Sequence, residues 1–431
     1  MKTISPIKIA KILFPLNRSL TGRGNLETLS ILKKVCKNIK IKKYKSGKKV
    51  YDWKIPLVWT VNDAYIKTPS GEKICDYKTN NLHLIGYSTS VKKTLTLKSL
   101  KKKLHTHPKL HNAIPYLTSY YKKDWGFCIS KNELQKLNNG KYKVNINTNL
   151  KKGHMHFGEC YIKGKSKSEI FFSTYICHPS MANNEISGPV ITTLLAKWLA
   201  SKKKLKYSYR LIFIPETIGS IAYIYHNKNI LKKNVITGFN VTCVGDERSW
   251  SLMPSKYGDS LGDRIARRVL NKEKIKYKSY EWLDRGSDER QYCSPGIDLP
   301  ICSIMRSKYA TYPEYHTSLD KLENVVTNQG LKDTLDIYKK IITALENSTF
   351  PLTKSICEPK LSKINLYPHI NKRGKGNLGN DILNFLTYSD GKNSLMDIFE
   401  KIKCSKKKFN RIFKIIKKNK LISLHETQKK I

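Results

Sequence analysis

Apolar positions recur every three residues near the start of the chain. Leu26, Leu29, Leu32 and Val35 in "NLETLSILKKVCKNI" predict an amphipathic helix, and residues 1 to about 45 read as helical on this pattern. From residue 50 to about 160 the period shortens. "KKVYDWKIPLVWTVNDAYIKTPSGEKICDY", "NLHLIGYST" and "GFCIS" are short aromatic and β-branched runs broken by turn residues, as in a β-rich module. From about 158 to 350, strand and helix patterns alternate. The strands are "EIFFSTYICH", "YRLIFIPET", "VITGFNVTCVG" and "LPICSIM"; the helices are "GPVITTLLAKWLASKK", "GSIAYIYHNK", "SLGDRIARRVLNK" and "GLKDTLDIYKKIITALEN". Such alternation predicts an α/β sheet covered by helices on both faces, with ligands gathering at the carboxyl ends of its strands. The tail, "NDILNFLTYSDGKNSLMDIFEKIKCSKKKFNRIFKIIKKNKLISL", reads as three short helices and a β-prone run, the outline of a winged helix. The expected divisions are a helical part at 1–50, a β-rich insert at 51–157, the main α/β domain at 158–352 and the winged helix at 353–431.

Composition changes this picture little. The 431 residues suffice for more than one domain and a large core. No run approaches the roughly 20 apolar residues of a spanning helix. The basic start "MKTISPIKIAKILFPLNRSL" lacks a sustained apolar core and a cleavage site, so it reads as a folded helix, and a cytoplasmic location is the expectation. The ten cysteines are scattered with no C-x-x-C pair, which argues against a zinc ribbon and a disulfide framework. The net charge of +48 comes mainly from lysine spread over the whole chain. Arginine, which phosphate and base forks favour, is scarce, so the charge reads as solvated faces ahead of a nucleic-acid footprint.

The candidate chemistry sits at strand ends. "FFSTYIC" ends on His178, "LIFIP" on Glu216 and "FNVTCVG" on Asp246, while His316 lies in the loop "TYPEYHTSLD". Imidazoles and carboxylates delivered to one rim of a sheet make a convergent site of the kind that suits zinc. The pairs His105/His107 and His154/His156 each put two imidazoles on one face of a strand, without a third ligand near in sequence.

Taken with "PLNRSLTGRGN", "YDWKIPLVW", "NLHLIGYST", "YICHPSMANNEISGP", "FIPETIGSIAY", "VGDERSWS", "GSDERQYCSPGIDLP" and "YPEYHTSLD", these segments resemble the zinc aminopeptidases of the co-catalytic two-zinc kind. The resemblance is closer still to the aminopeptidase-like proteins of bacterial surface-polysaccharide loci, which carry an inserted β-rich domain and a C-terminal winged helix. It covers nearly the whole chain. It implies His178, Asp246 and His316 as metal ligands, Asn184 at the place of the bridging aspartate, and Glu216 as general base, followed by Thr217 where the family has a second carboxylate. Asp288 or Glu289 would hold a substrate amine, with Arg290, Tyr292, Arg306 and Tyr315 as polar neighbours.

Two departures alter the expectation. Asn184 carries no charge to place between two cations, and Thr217 removes a carboxylate from the second site. One zinc is therefore expected ahead of two, with Glu185 or Glu216 drawn in to replace what is missing. The first reading is a metallohydrolase of a small peptide-like or amide-bearing substrate. The second is an inactive binding protein or scaffold on the same fold; a winged-helix regulator is third. Because lysine enrichment is chain-wide, the winged helix is read as docking a protein partner ahead of reading DNA.

Overall fold

The computed structural model describes residues 5–120, 122–364, 366 and 378–428. The chain folds as two compact units. The larger is built from residues up to Ile162 with Glu169–Lys203 and Tyr209–Lys340, and the smaller from Lys163–Ser168, Lys204–Ser208 and the residues from Ile341 onward.

In the larger unit, helices α1 (Pro6–Leu13) and α2 (Arg23–Val35) precede strand β1 (Lys40–Lys45). The helical pattern thus ends sooner than the sequence suggested. "KIKKYK" has no helical stripe, and its backbone pairs antiparallel with His154–Glu159. An antiparallel sheet follows, made of β2 (Val58–Lys67), β3 (Lys73–Ile74), β4 (Val91–Thr96) and β5 (Lys141–Lys151), in the order β3–β2–β5–β4. Its buried residues include Trp59, Ala64 and Ile66 of β2 and Tyr142, Val144 and Ile146 of β5.

The large mixed sheet adds β6 (His154–Ile162), β7 (Glu169–Tyr175), β8 (Ser208–Ile214), β9 (Val235–Asn240), β10 (Ser251–Met253), β11 (Lys278–Ser279) and β12 (Ile301–Met305). The strand order is β1–β6–β8–β7–β9–β12–β10–β11. Strands β7, β9 and β12 run parallel, and their residues are buried throughout, as expected of strands covered on both faces. The helices that connect and cover them are α3 (Ser187–Ala200), α4 (Ile218–Asn234), α5 (Leu261–Lys272) and α6 (Asn328–Glu346), matching the four helical runs of the sequence. Among the described residues no helix is long and apolar enough to cross a membrane.

In the smaller unit, α7 (Leu378–Thr387), α8 (Leu395–Ile402) and α9 (Lys406–Lys418) pack Ile382, Phe385, Ile398, Phe409, Ile412 and Ile416 into one core. Ser394 and Ser405 cap the last two helices. Strand β13 (Phe350–Thr353) pairs antiparallel with β14 (Ile422–His425). This is the winged helix expected from the tail. Its first strand, Phe350–Thr353, lies almost wholly before the expected boundary at 353, where a four-residue run gave little signal.

One buried ion cluster ties the sheet together. The Arg210 guanidinium on β8 donates to both oxygens of Glu169 at 2.6 and 2.9 Å, and it also pairs with Glu159 and the Tyr223 hydroxyl. All are buried. Removing the cation strands two buried carboxylates, so Arg210→Ala is expected to cost about 3–5 kcal/mol in urea denaturation. A loss below about 1 kcal/mol would show that Lys42 and Tyr223 suffice for Glu159, and Asn234 for Glu169.

Candidate active site

Beyond β7 the chain runs straight into Ile176, Cys177 and His178, then a loop and a π-helical turn at Ala182–Ile186 that leads into α3. This turn lies hard against the strand ends. A Cβ on Gly188 would come within 2.4 Å of both Thr174 Oγ1 and the Val241 carbonyl oxygen, so no larger residue fits there. Asp320 holds the turn from outside, accepting from the backbone N–H groups of Asn183 (2.8 Å) and Asn184 (3.0 Å) and from the Tyr312 hydroxyl (2.9 Å).

Strand β8 continues through Pro215 to Glu216 and Thr217. Thr217 has φ 63° and ψ −80°, an unfavourable conformation for a β-branched residue that costs on the order of 1–3 kcal/mol. Asp288 Oδ1 accepts its N–H at 2.8 Å and the Ser220 hydroxyl at 2.9 Å, which pins the start of α4. Arg290 donates to the Thr217 hydroxyl at 2.9 Å. Strain at a strand end, held by a buried carboxylate, sets where Glu216 points.

His178 Nδ1 lies 2.8 Å from Glu185 Oε2, and its Nε2 lies 3.7 Å from Glu216 Oε2. Behind it, the buried Arg18 donates to the His178 and Leu13 carbonyl oxygens and stands 3.7 Å from Glu185 Oε1. His316, also at positive φ, stacks on Tyr315 and sits 5.4 Å from His178 between ring centres. Tyr116 packs against both imidazoles. His316 Nε2 is buried with no hydrogen-bond partner. His178, Glu216 and His316 line one cavity of about 640 Å³, together with Arg290, Trp53 and Tyr116.

The electrostatics follow from burial. Both imidazoles are pushed down to about 3, His178 by desolvation and then by Arg18, His316 by desolvation and then by His178. They are neutral bases at any working pH. Glu216 is pushed up to about 8 by burial and then by the neighbouring Asp288 carboxylate, with Arg290 pulling the other way. Asp288 rises to about 7 for want of water, partly offset by the bonds from Thr217 and Ser220. Burial also pushes Glu185 up, and the Arg18 guanidinium pulls it back.

Other residues singled out in the sequence stand elsewhere. The Asp246 carboxylate receives four hydrogen bonds, from Asn183 Nδ2, Arg248 N, and the backbone and hydroxyl of Ser307, which fill its lone-pair sites. Asn184 turns its amide nitrogen onto the Tyr175 hydroxyl at 2.8 Å. Glu289 is bound by Gly286, Ser287, Asn240 and Tyr309, and Tyr292 is buried on Ser173. Arg306 lies over the Trp250 ring. Among the described residues one trio of metal-type donor atoms lies within 4.8 Å: Cys177, His178 and Glu185. It reflects the His178–Glu185 hydrogen bond, and the Arg18 charge beside it repels a cation. Neither of the other histidine pairs gains a third ligand. Sequence reasoning did not assign Arg18, Tyr116 or Asp320. The last closes "YHTSLD", the stretch that holds His316.

Residues 7–348 match the family described as "Domain of unknown function (DUF4910)", and residues 349–424 match the winged helix-turn-helix family. The chain belongs to the former. A Clostridium acetobutylicum protein, assigned provisionally to polysaccharide biosynthesis with an aminopeptidase-like domain, is 44% identical over 90% of this chain and 88% of its own length. A crystal structure of a candidate peptidase from the same organism has a TM-score of 0.82 at 39% identity, over 97% of this chain and 96% of that one. The zinc aminopeptidase BSAP from Bacillus subtilis shares the fold, with a TM-score of 0.57 at 13% identity over 80% of this chain and 95% of its own. The larger unit therefore has an aminopeptidase-like α/β fold, followed by a winged helix.

A pH prediction follows for the metal-free chain. Glu216 and Asp288 hold protons in the folded state that the unfolded chain releases near 4.5 and 3.8, so they withdraw stability as pH rises towards about 8 and 7. The histidines act oppositely, losing stability as pH falls from about 6.5 towards 3, and are silent above neutrality. In EDTA, the melting temperature of the wild type is expected to fall between pH 6.5 and 8 more steeply than that of Glu216→Gln. Equal slopes would mean that Glu216 titrates as an ordinary carboxyl.

Proposed function

We propose that the chain is a metal-dependent hydrolase of aminopeptidase type. It cleaves an amide or peptide bond with Glu216 as general base, and its substrate belongs to surface-polysaccharide metabolism. The polysaccharide link draws on the 44%-identical relative. The observation that carries the chemistry is His316: a neutral imidazole whose buried Nε2 has no partner, on the same cavity wall as His178 and Glu216. A buried polar atom left unpaired costs about 1–3 kcal/mol, and a cation at that point offsets the cost.

The donors that face the cavity support a reading with one ion ahead of two. A two-ion site needs a bridging carboxylate, and at that position stands Asn184 with its amide nitrogen on Tyr175, while Asp246 has no free lone pair. A single ion would take Nε2 of His178 and Nε2 of His316 as donors, with the Glu216 carboxylate beside them. Bound there, zinc would lower the pKa of a water towards about 7 and polarise a carbonyl.

The chain's own residues supply the rest. A carboxyl raised to about 8 exchanges protons readily near neutral pH. Glu216 Oε2 takes a proton from the attacking water and returns it to the leaving amine nitrogen. Arg290 has donors to spare beyond its bond to Thr217 and is the cation best placed to meet a polar group of the substrate. Tyr116, Trp53 and Leu20 wall the cavity and limit the water that reaches the bond.

The competing reading, a binding protein that has lost the chemistry, draws on the same Asn184 and Asp246. Metal content and amide hydrolysis separate the two. No more than one zinc per chain is expected, lost in His178→Ala and in His316→Ala. Glu216→Gln should keep the zinc and lose roughly 10²–10⁴-fold in kcat. Two zinc ions per chain would overturn the one-ion site, and no zinc with no hydrolysis would move the protein to the binding class.

A further inference from the structure

The segment Arg18–Glu185–His178 lies behind the cavity wall, and its proton arrangement can be read from distances. Arg18 is 1% exposed, and a guanidinium does not give up its proton inside a protein. Such a charge needs an anion, and the carboxyl beside it is that of Glu185, Oε1 at 3.7 Å; burial pushes that carboxyl up, and the guanidinium is the charge that favours its ionised form. The second oxygen of Glu185 lies 2.8 Å from His178 Nδ1, a good hydrogen-bond distance. The other ring nitrogen has no such acceptor, because Glu216 Oε2 is 3.7 Å from Nε2, too far for a hydrogen bond.

We infer that Glu185 is a positioning residue: as the buried counter-ion of Arg18 it accepts the Nδ1 proton of His178 and fixes the ring so that the Nε2 lone pair faces the cavity. Arg18 completes the arrangement from the other side. Its bond to the His178 carbonyl oxygen, 3.1 Å from Nε, anchors the backbone of the residue whose ring Glu185 orients. The resemblance implies a carboxylate at position 184; here the carboxylate stands one residue later, in a different role. It does not touch the cavity; it decides which nitrogen of His178 does. A carboxylate behind a ligating histidine raises its basicity and fixes its orientation, and removing one typically costs 10–100-fold in metal affinity.

The consequence for a metal rests on the function proposed above, whereas the proton position does not, and the test keeps them apart. In metal-free wild-type chain labelled with 15N-histidine, near neutral pH, His178 is expected to carry its proton on Nδ1. The imidazole nitrogen shifts read this directly, and the signals are assigned by their loss in His178→Ala. A proton on Nε2, or a mixture of tautomers, overturns the inference. In Glu185→Ala the single tautomer should give way to a mixture, and zinc affinity by chelator competition should fall about 10–100-fold. Glu185→Gln, whose amide oxygen still accepts the proton, should lie between the two. Unchanged tautomer and affinity in Glu185→Ala would also overturn it. A wild type with the proton on Nδ1 that binds no zinc upholds the inference while removing the hydrolase reading.

Discussion

Charge taken out of water has to be matched, and this requirement governs the carboxyl rim of the large sheet. Asp246, Asp288, Asp320 and Glu185 are each 1% exposed or less, and each has at least one oxygen held in a hydrogen bond. Those commitments set the backbone. Asp320 clamps the π-helical turn, Asp288 holds Thr217 in its strained conformation, and Asp246 ties the turn after β9 to that after β12. His178, His316 and Glu216 are the imidazoles and the carboxyl of the rim that line the cavity.

This division explains which parts of the site the sequence disclosed. The strand-and-helix alternation marks where strands end, and His178 and Glu216 stand just past theirs, whereas β9 ends at Asn240 and Asp246 lies further on, in the loop that follows. Periodicity cannot say whether a strand-end carboxylate points into a cavity or into a turn. Asp246 and Glu216 occupy equivalent places in the pattern. They differ because Ser307 and Asn183 help fill the lone pairs of one, whereas the other lies beside Asp288, Arg290 and Ser287 and lines the cavity. Both differences come from residues more than 60 positions away in the chain. Asp320 escaped notice for the same reason: its partners are backbone N–H groups in a turn that no side-chain pattern marks.

Fold was more legible than site because it rests on local information. The helices at 187–200, 261–272 and 328–346 and the three-helix tail follow from their apolar spacing. The early strand at Lys40–Lys45 was hidden because its identity is set by pairing with β6, with only Ile41 and Tyr44 to suggest it. Strand β13 was hidden likewise, since Phe350–Thr353 gains its partner some 70 residues later, at Ile422–His425. Short edge strands are where tertiary context overrides propensity most easily.

The neighbouring positions 184 and 185 show how little sequence distance means at such a rim. In a π-helical turn, successive side chains leave the axis roughly a quarter-turn apart. Asn184 therefore reaches Tyr175, while Glu185 reaches His178 and Arg18. A carboxylate at 184 would neutralise charge between two cations. At 185 it neutralises Arg18 and orients an imidazole. The net charge of the segment is the same in both cases, yet the carboxylate reaches different partners. Composition could not have distinguished them. The distinction lies in direction, and direction is fixed by the Asp320 clamp on the turn and by the close approach at Gly188.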